Sequence, residues 1–560
     1  MATILPIRAS GSTPEHNDIL VIGGRIKTPS GWAQAMAIRD GKILAVGSIS
    51  AVRRQVGNQA KTIDIKGMTA MPGLIDSHVH PLFAGLGDAS CKLPQGANAA
   101  GVVTVVKACV ASAAPGDWIQ GGSWVAASFS PGQQTRALLD TIAPNNPVLL
   151  NDEALHSIWV NSLALKLAGI DRTTPDPVGG IIERDADGEP TGLLRETATR
   201  MVEAIVPPDS LAARRKAIEW ASNTMLSYGI TAFTVASIRD PDIEPFAQLT
   251  TEGRIKQRIR GCIVWDALPG KQNAMGERLL AERSNYTTSR FKPDCVKLFL
   301  DGVPTESHTG AMLHPYADRS QTDTRPEKGL VMIAQGDLNL AVARFDKMGL
   351  SVKFHATGDA AVRSAIDAID YTRRTNGLDG PMHAVGHSTF VDPSDIPRVL
   401  KLKAAWEFSP YIWYPTPMAS VDILKAVGAE RMQRWMPIAD ALKTEAWVVA
   451  GSDWPVIPSV NPWLGIETLV TRARPGGSKE QLGPAQAISR VQAFQIFTAN
   501  GAKLMGLGKV TGSLSPGLSA DFIVTDKDPY SVSITSLHDI RVMMTFIDGE
   551  RVFDRQNQAR

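Results

Sequence analysis

The sequence predicts an α/β protein: a distorted (β/α)8 TIM barrel with a small β-sandwich domain formed by both termini and a large insertion after barrel strand 1. Three observations carry that prediction. Short apolar, β-branched runs alternate with amphipathic stretches through the middle of the chain, the pattern of parallel β/α units. Eight such runs can be counted, the number a barrel needs. A different texture, short strands broken by Gly/Asp turns, occurs only near the two ends.

The eight runs, in order, are TAMPGLIDSHVHP, GITAFTV, QRIRGCIVW, CVKLFLDG, LSVKFHATGD, MHAVGHST, KAAWEFSPYIW and EAWVVAGSDWP. Between them, DLNLAVARFDKMG and DAAVRSAIDAIDYTRR place apolar residues at three- and four-residue spacing, as amphipathic helices do. The barrel is therefore assigned to residues 74–496. It is interrupted at about 90–225 by an insertion with its own helical pattern, SLAARRKAIEWASNTMLSYG, and its own turn cluster, DPVGGIIERDADGEPTG. Residues 1–73 and 497–560 are assigned to the β-sandwich. There, ILVIGGRI and WAQAMAIRDGKILAVG, with an Asp40-Gly41 turn, are answered by ADFIVTDKDP and VMMTFIDGERVF.

Composition narrows the class. Hydrophobic residues at 44% and charged residues at 20% are ordinary for a globular chain, which excludes disorder and collagen-like structure. Fifty-eight basic against 56 acidic side chains leave a formal charge of +2, so no global field draws nucleic acid or an anionic membrane. Apolar stretches such as AWVVAG fall short of the roughly 20 residues of a membrane span. The first residues, MATILPIRASGSTPEHND, lack an apolar signal core. The expectation is a cytoplasmic protein that meets a small-molecule substrate, with no nucleic acid and no membrane as partner, and a homodimer as the commonest assembly. Cys91, Cys109, Cys262 and Cys295 are far apart with no C-x-x-C pairing, so reduced, buried thiols are expected.

Ten histidines in 560 residues are no surplus; their placement carries the information. In IDSHVHP, His78 and His80 stand at i and i+2 after an apolar run, so on a strand both imidazoles face one side and can reach one cation. His355, His387 and Asp453 each end another strand-like run, and barrel active sites form at those ends. Imidazole and carboxylate suit zinc, with Mn, Fe, Co or Ni as the other candidates by ligand type. Lys297 stands in the middle of CVKLFLDG. A buried ammonium is costly unless its pKa falls or a partner neutralises it; a neutral amine can take up carbon dioxide as an anionic, bridging carbamate. The structural alternative is an ion pair with Asp301 or a side chain that snorkels to the strand end.

The set DSHVHP, CVKLFLDG, FHATGD, HAVGHST and GSDWP, in this order, resembles the amidohydrolase superfamily, and more narrowly its amidohydrolase-3 or YtcJ-like branch, which includes N-substituted formamide deformylases. In the insertion, GDWIQGGSW, NDEALHSIWVNSLALKLAGI and GGIIERDADGEPTGLLRE are similar to segments of that branch, as is SLSPGLSADFIV near the C-terminus. The resemblance implies a mono- or binuclear centre, with two divalent ions expected, zinc foremost. It places His78 and His80 on one ion and His355 and His387 on the other, bridged by Lys297 as its carbamate. Asp453 then touches the metal and moves protons. The implied reaction is hydrolysis of an amide-type C–N bond by a metal-bridging hydroxide, since cations lower the pKa of bound water from 15.7 to about 7. A deaminase, a cyclic amide hydrolase, a metal-dependent lyase or a non-catalytic binding protein on the same scaffold are the rival readings, and Lys297 favours the binuclear hydrolase among them.

One departure stands out. Relatives of this branch usually carry Ile-Glu-His where this chain has Val385-Gly386-His387, which removes a carboxylate and predicts a cavity or altered chemistry there. Substrate contacts are expected from His156 and Asp152 in the insertion, from His308 and His314 in the connection after the Lys297 run, and from His383. Trp124, Trp159, Tyr411, Trp413 and Tyr414 are candidate pocket walls, because aromatic rings give apolar contact with a polar handle.

Overall fold

The computed structural model describes residues 17–557 apart from 58, 95, 131, 267–273, 321, 322, 324 and 410–413. Eight parallel strands form the central sheet: β1 (Leu74–Val79), β2 (Ile230–Ile238), β3 (Arg258–Val264), β4 (Phe291–Phe299), β5 (Ser351–Ala356), β6 (Ala384–His387), β7 (Ala405–Phe408) and β8 (Trp447–Ala450). Their spatial order follows their chain order, so each strand pairs with the next one along the chain. This is the expected distorted barrel, and all eight predicted runs supply its strands.

The seam between β1 and β8 is closed by hydrogen bonds just past the last strand. The amide of Asp453 donates to the His78 carbonyl (2.7 Å), and the amide of His80 donates to the Trp454 carbonyl (2.8 Å). Asp76 adds a side-chain tie: its Oδ1 accepts from the amides of His78 and Ser452, each at 3.0 Å. The seam thus brings the histidine pair and the aspartate together from opposite ends of the barrel sequence.

The helical periodicities are realised as Gln335–Lys347, Asp359–Asn376 and Leu211–Ser227. The last is opened by Ser210, whose side chain accepts from the Ala213 amide and so satisfies one of the helix's free N–H groups. Thr69–Pro72 and Arg25–Thr28 share a six-stranded sheet with Phe522–Thr525, Val542–Ile547 and Glu550–Asp554, so chain segments from both ends lie in one sheet. A four-stranded sheet beside it contains the Ala35–Arg39 and Lys42–Gly47 hairpin, turned at Asp40 (φ 49°) and Gly41 (φ 79°). Between β1 and β2 the inserted residues build a separate six-stranded sheet that runs from Cys91–Lys92 to Pro190–Glu196. Among the described residues no helix is long and apolar enough to cross a membrane.

The cysteines correct the expectation of reduced thiols. Cys262 on β3 lies directly opposite Cys295 on β4, and Cys91 meets Cys109 on the helix Ala99–Ala111; both pairs are disulfide-bonded. Separations of 33 and 18 residues hid the adjacency, because strand register and helix packing created it rather than a local motif.

Candidate metal centre

The strand ends bring His78, His80, Lys297, His355, His387 and Asp453 to one cavity of about 140 Å³. Asp453 Oδ1 lies 3.2 Å from His80 Nε2 and 3.4 Å from His78 Nε2, and its Oδ2 lies 3.7 Å from His387 Nδ1. The His387 ring stands 4.8 Å from that of His78 and 4.5 Å from that of His355, centroid to centroid. His387 (φ 62°) and Asp453 (φ 60°) both hold left-handed backbone, an uncommon conformation for residues with a Cβ that concentrates at functional sites.

Each imidazole is held by its Nδ1. Glu407 Oε1 accepts from His78 at 2.6 Å, Asp301 Oδ1 lies 3.2 Å from His355, Ser409 Oγ 3.2 Å from His387 and Ser237 Oγ 3.4 Å from His80. The Nε2 atoms of His78 and His387 are buried and have no hydrogen-bond partner among the described residues. Burying such an atom unpaired is costly. Two orphaned imidazole nitrogens beside a carboxylate, with ligand atoms of His78, His387 and Asp453 all within 4.8 Å of one another, are a donor set that fits a cation.

The electrostatics agree with that fit. Burial, and then the positive charges of the site, hold His78, His355 and His387 well below the usual imidazole range, so these rings are neutral and able to donate a lone pair. Burial, with Lys353 adding to it, brings the Lys297 ammonium down to about 7. Lys297 does not take the alternative of pairing with Asp301. Asp301 is instead engaged by the amides of Ala311, Thr357 and Gly358 as well as by His355.

His156 reaches the same cavity from the insertion, its ring 4.9 Å from that of His355. Its Nδ1 donates to Glu196 Oε2 at 2.7 Å, and Glu196 Oε1 accepts from Thr309 Oγ1 at 2.6 Å. Burial alone would lower the His156 pKa, but the charge and hydrogen bond of Glu196 outweigh it and raise the group to about 9. Asp152 stands behind, and does not line, the cavity: its Oδ1 accepts from the amides of His156 (2.9 Å) and Ser157 (3.0 Å) and fixes the turn that presents the imidazole.

The other substrate candidates lie elsewhere. His383 directly precedes β6 while His387 ends it, so about four residues of strand at roughly 3.3 Å each separate them. His383 Nδ1 accepts from the Val352 amide and its Nε2 meets Asp346, at 3.0 Å each. His308 is fully buried, stacked 4.1 Å from the Tyr316 ring with Nε2 2.7 Å from Asp318, where it pins its own loop. Trp124 and Trp159 pack in the core of the insertion, Trp124 donating to the Leu150 carbonyl at 2.9 Å. His314 and Tyr414 do not line the cavity, and Tyr411 and Trp413 lie outside the described residues. Among the described residues the apolar walls are Phe83, Leu155, Phe299, Met418, Ile423 and Trp435.

Of the two outcomes expected at Gly386, a cavity or altered chemistry, the cavity is not formed. A Cβ there would stand 2.5 Å from the Phe354 carbonyl oxygen and 3.3 Å from Glu407 Oε1, so a carboxylate from β7 occupies the neighbourhood. Glu407 and its partner Lys353 are not among the residues the sequence singles out as candidates. The signal was present, a charged residue in mid-strand among apolar neighbours, as at Lys297.

The sequence profile of the amidohydrolase family matches residues 61–553. The chain belongs to the amidohydrolase family. This member is 30% identical over 555 residues to Protein LONG AFTER FAR-RED 3 of Arabidopsis thaliana, which covers 96% of this chain and 91% of that one. It is 26% identical to the putative amidohydrolase YtcJ of Bacillus subtilis (93% and 96% covered) and to the N-substituted formamide deformylase of Arthrobacter pascens (97% and 99% covered). The amidohydrolase fold of this chain is also similar to that of an uncharacterized metal-dependent hydrolase from Pyrococcus horikoshii, with TM-score 0.72, 22% identity and coverage of 92% and 99%.

Proposed function

We propose that this amidohydrolase is a metal-dependent enzyme that hydrolyses the amide-type C–N bond of a small N-acyl or N-formyl amine carrying a compact apolar group. The observation that carries the reading is the pair of orphaned Nε2 atoms on His78 and His387 beside the Asp453 carboxylate. His78, His80, His355, His387 and Asp453 would hold two divalent cations, zinc foremost by donor type, and Lys297, which lines the same cavity, would serve as a further anionic ligand if carboxylated. Bound cations supply a water acidified to near neutrality and a polarised carbonyl.

The chain's own residues do the rest. Asp453 takes a proton from the attacking water onto a carboxylate oxygen and returns it to the amine nitrogen as the C–N bond breaks, a role worth typically about 10²–10⁴-fold. His156, anchored by Glu196 through Nδ1 and lining the cavity, would donate from Nε2 to the carbonyl oxygen of the substrate as charge develops there. The apolar walls exclude water and select the hydrocarbon part. The likeness to a formamide deformylase supports an N-acyl or N-formyl amine.

The test is a panel of formamides, N-acyl amines, lactams and aryl amides with matched esters, given to zinc-loaded protein, with ¹³C-bicarbonate used to read the Lys297 carbamate by NMR. Amine release that stops on chelation is expected. Turnover indifferent to chelator, or no metal bound after zinc-supplemented expression, would overturn the reading.

A further inference from the structure

Glu407 is held by two partners at once. Its Oε1 accepts the Nδ1–H of His78 at 2.6 Å, and its Oε2 accepts from Lys353 Nζ, which also donates to the Ser77 carbonyl at 2.9 Å. All three side chains are buried, with 0% of the Glu407, 3% of the Lys353 and 1% of the His78 side chain exposed. A carboxylate only accepts, so Nδ1 carries the proton and the lone pair of the ring is left on Nε2, the nitrogen that has no hydrogen-bond partner among the described residues. Lys353 faces the interior two residues before His355 on β5, and it gives the buried carboxylate the oppositely charged partner that such a burial requires.

The adjacent strand leaves room beside this carboxylate. On β6, Gly386 stands level with His355, and any side chain there would run into the Phe354 carbonyl and crowd Glu407 Oε1. A glycine at 386, a glutamate at 407 and a lysine at 353 therefore form one spatial unit drawn from three adjacent strands. An ion pair that served only to fill the barrel would not need its second carboxylate oxygen aimed at an imidazole whose other face opens on the cavity.

We propose that Glu407, held by Lys353 in the space left by Gly386, is the positioning residue that fixes the tautomer and orientation of His78 toward the cation. The proposal rests on the reading of the cavity as a metal centre. Partners of this kind typically contribute about 10–100-fold in metal affinity.

The experiment measures zinc affinity by chelator competition, with the visible spectrum of the cobalt-substituted protein as a second readout. Glu407→Gln is expected to weaken zinc binding by about 10–100-fold and to shift the cobalt bands. Because that variant strands Lys353, the double variant Lys353→Met/Glu407→Gln removes both charges, an exchange that buried ion pairs tolerate. It is expected to fold, by circular dichroism and melting temperature, and to bind zinc as weakly as the single variant. Wild-type zinc affinity in Glu407→Gln, or its recovery in the double variant, would overturn the proposal and leave the pair as a structural ion pair. Failure of the unmodified protein to bind zinc is a separate outcome, and it removes the metal reading itself.

Discussion

Gly451 faces His78 across the barrel seam so closely that a Cβ at position 451 would lie 2.3 Å from the His78 Cβ and 2.4 Å from its backbone nitrogen. The last strand therefore reaches the first only because residue 451 has no side chain. Two residues later Asp453 stands within 3.4 Å of His78 Nε2. The closeness that closes the barrel is the same one that assembles the candidate ligands.

Gly451→Ala should separate the two strands. The expected cost is about 1–3 kcal/mol, the range for overpacking a filled interior, with loss of bound metal alongside. Thermal denaturation and elemental analysis read both. Gly87→Ala, in the helix Pro81–Asp88 with nothing within 4 Å of the new Cβ, is the control and should leave both unchanged.

Asp453→Asn keeps the shape and a carbonyl oxygen while removing the ability to carry a proton. Metal content should stay at the wild-type level and turnover should fall by about 10²–10⁴-fold. Full activity in this variant would remove Asp453 from proton transfer.

Stripping the metal should lower the melting temperature as well as the activity. Ligand that binds only the folded state at a thousand times its Kd adds about 4 kcal/mol, and the His78 and His387 Nε2 atoms otherwise have no hydrogen-bond partner among the described residues. Differential scanning calorimetry of chelated and zinc-restored protein checks this, and an unchanged melting temperature would contradict it.

The His156–Glu196 pair predicts a pH signature. The folded-state pKa of His156 is raised from 6.5 to about 9, so its stabilisation is complete below pH 6.5 and is lost as pH rises through 9. At about 1.4 kcal/mol per pKa unit, wild type should exceed Glu196→Gln by on the order of 3 kcal/mol at pH 6, with the gap closing by pH 10. Urea denaturation at a series of pH values measures it, and a gap that does not vary with pH would refute the assignment.

Period and composition alone were enough for the eight strand runs, the Asp40-Gly41 turn and the grouping of His78, His80, His355, His387 and Asp453 at strand ends. Those properties are local, because alternation fixes which side chains share a face and a parallel β/α rhythm fixes which end of each strand is the functional one. What only the tertiary structure decided is which distant residues become neighbours. Glu407 meets His78 across 329 positions and His156 meets Glu196 across 40, while Cys262 meets Cys295 because two strands share a register. His308 and His383 have the same chemistry as the clustered histidines, yet packing turns one against Tyr316 and leaves the other at the far end of its strand. Sequence spacing sets the face a side chain points from; closure of the sheet, and the insertion folded over it, set what that face meets.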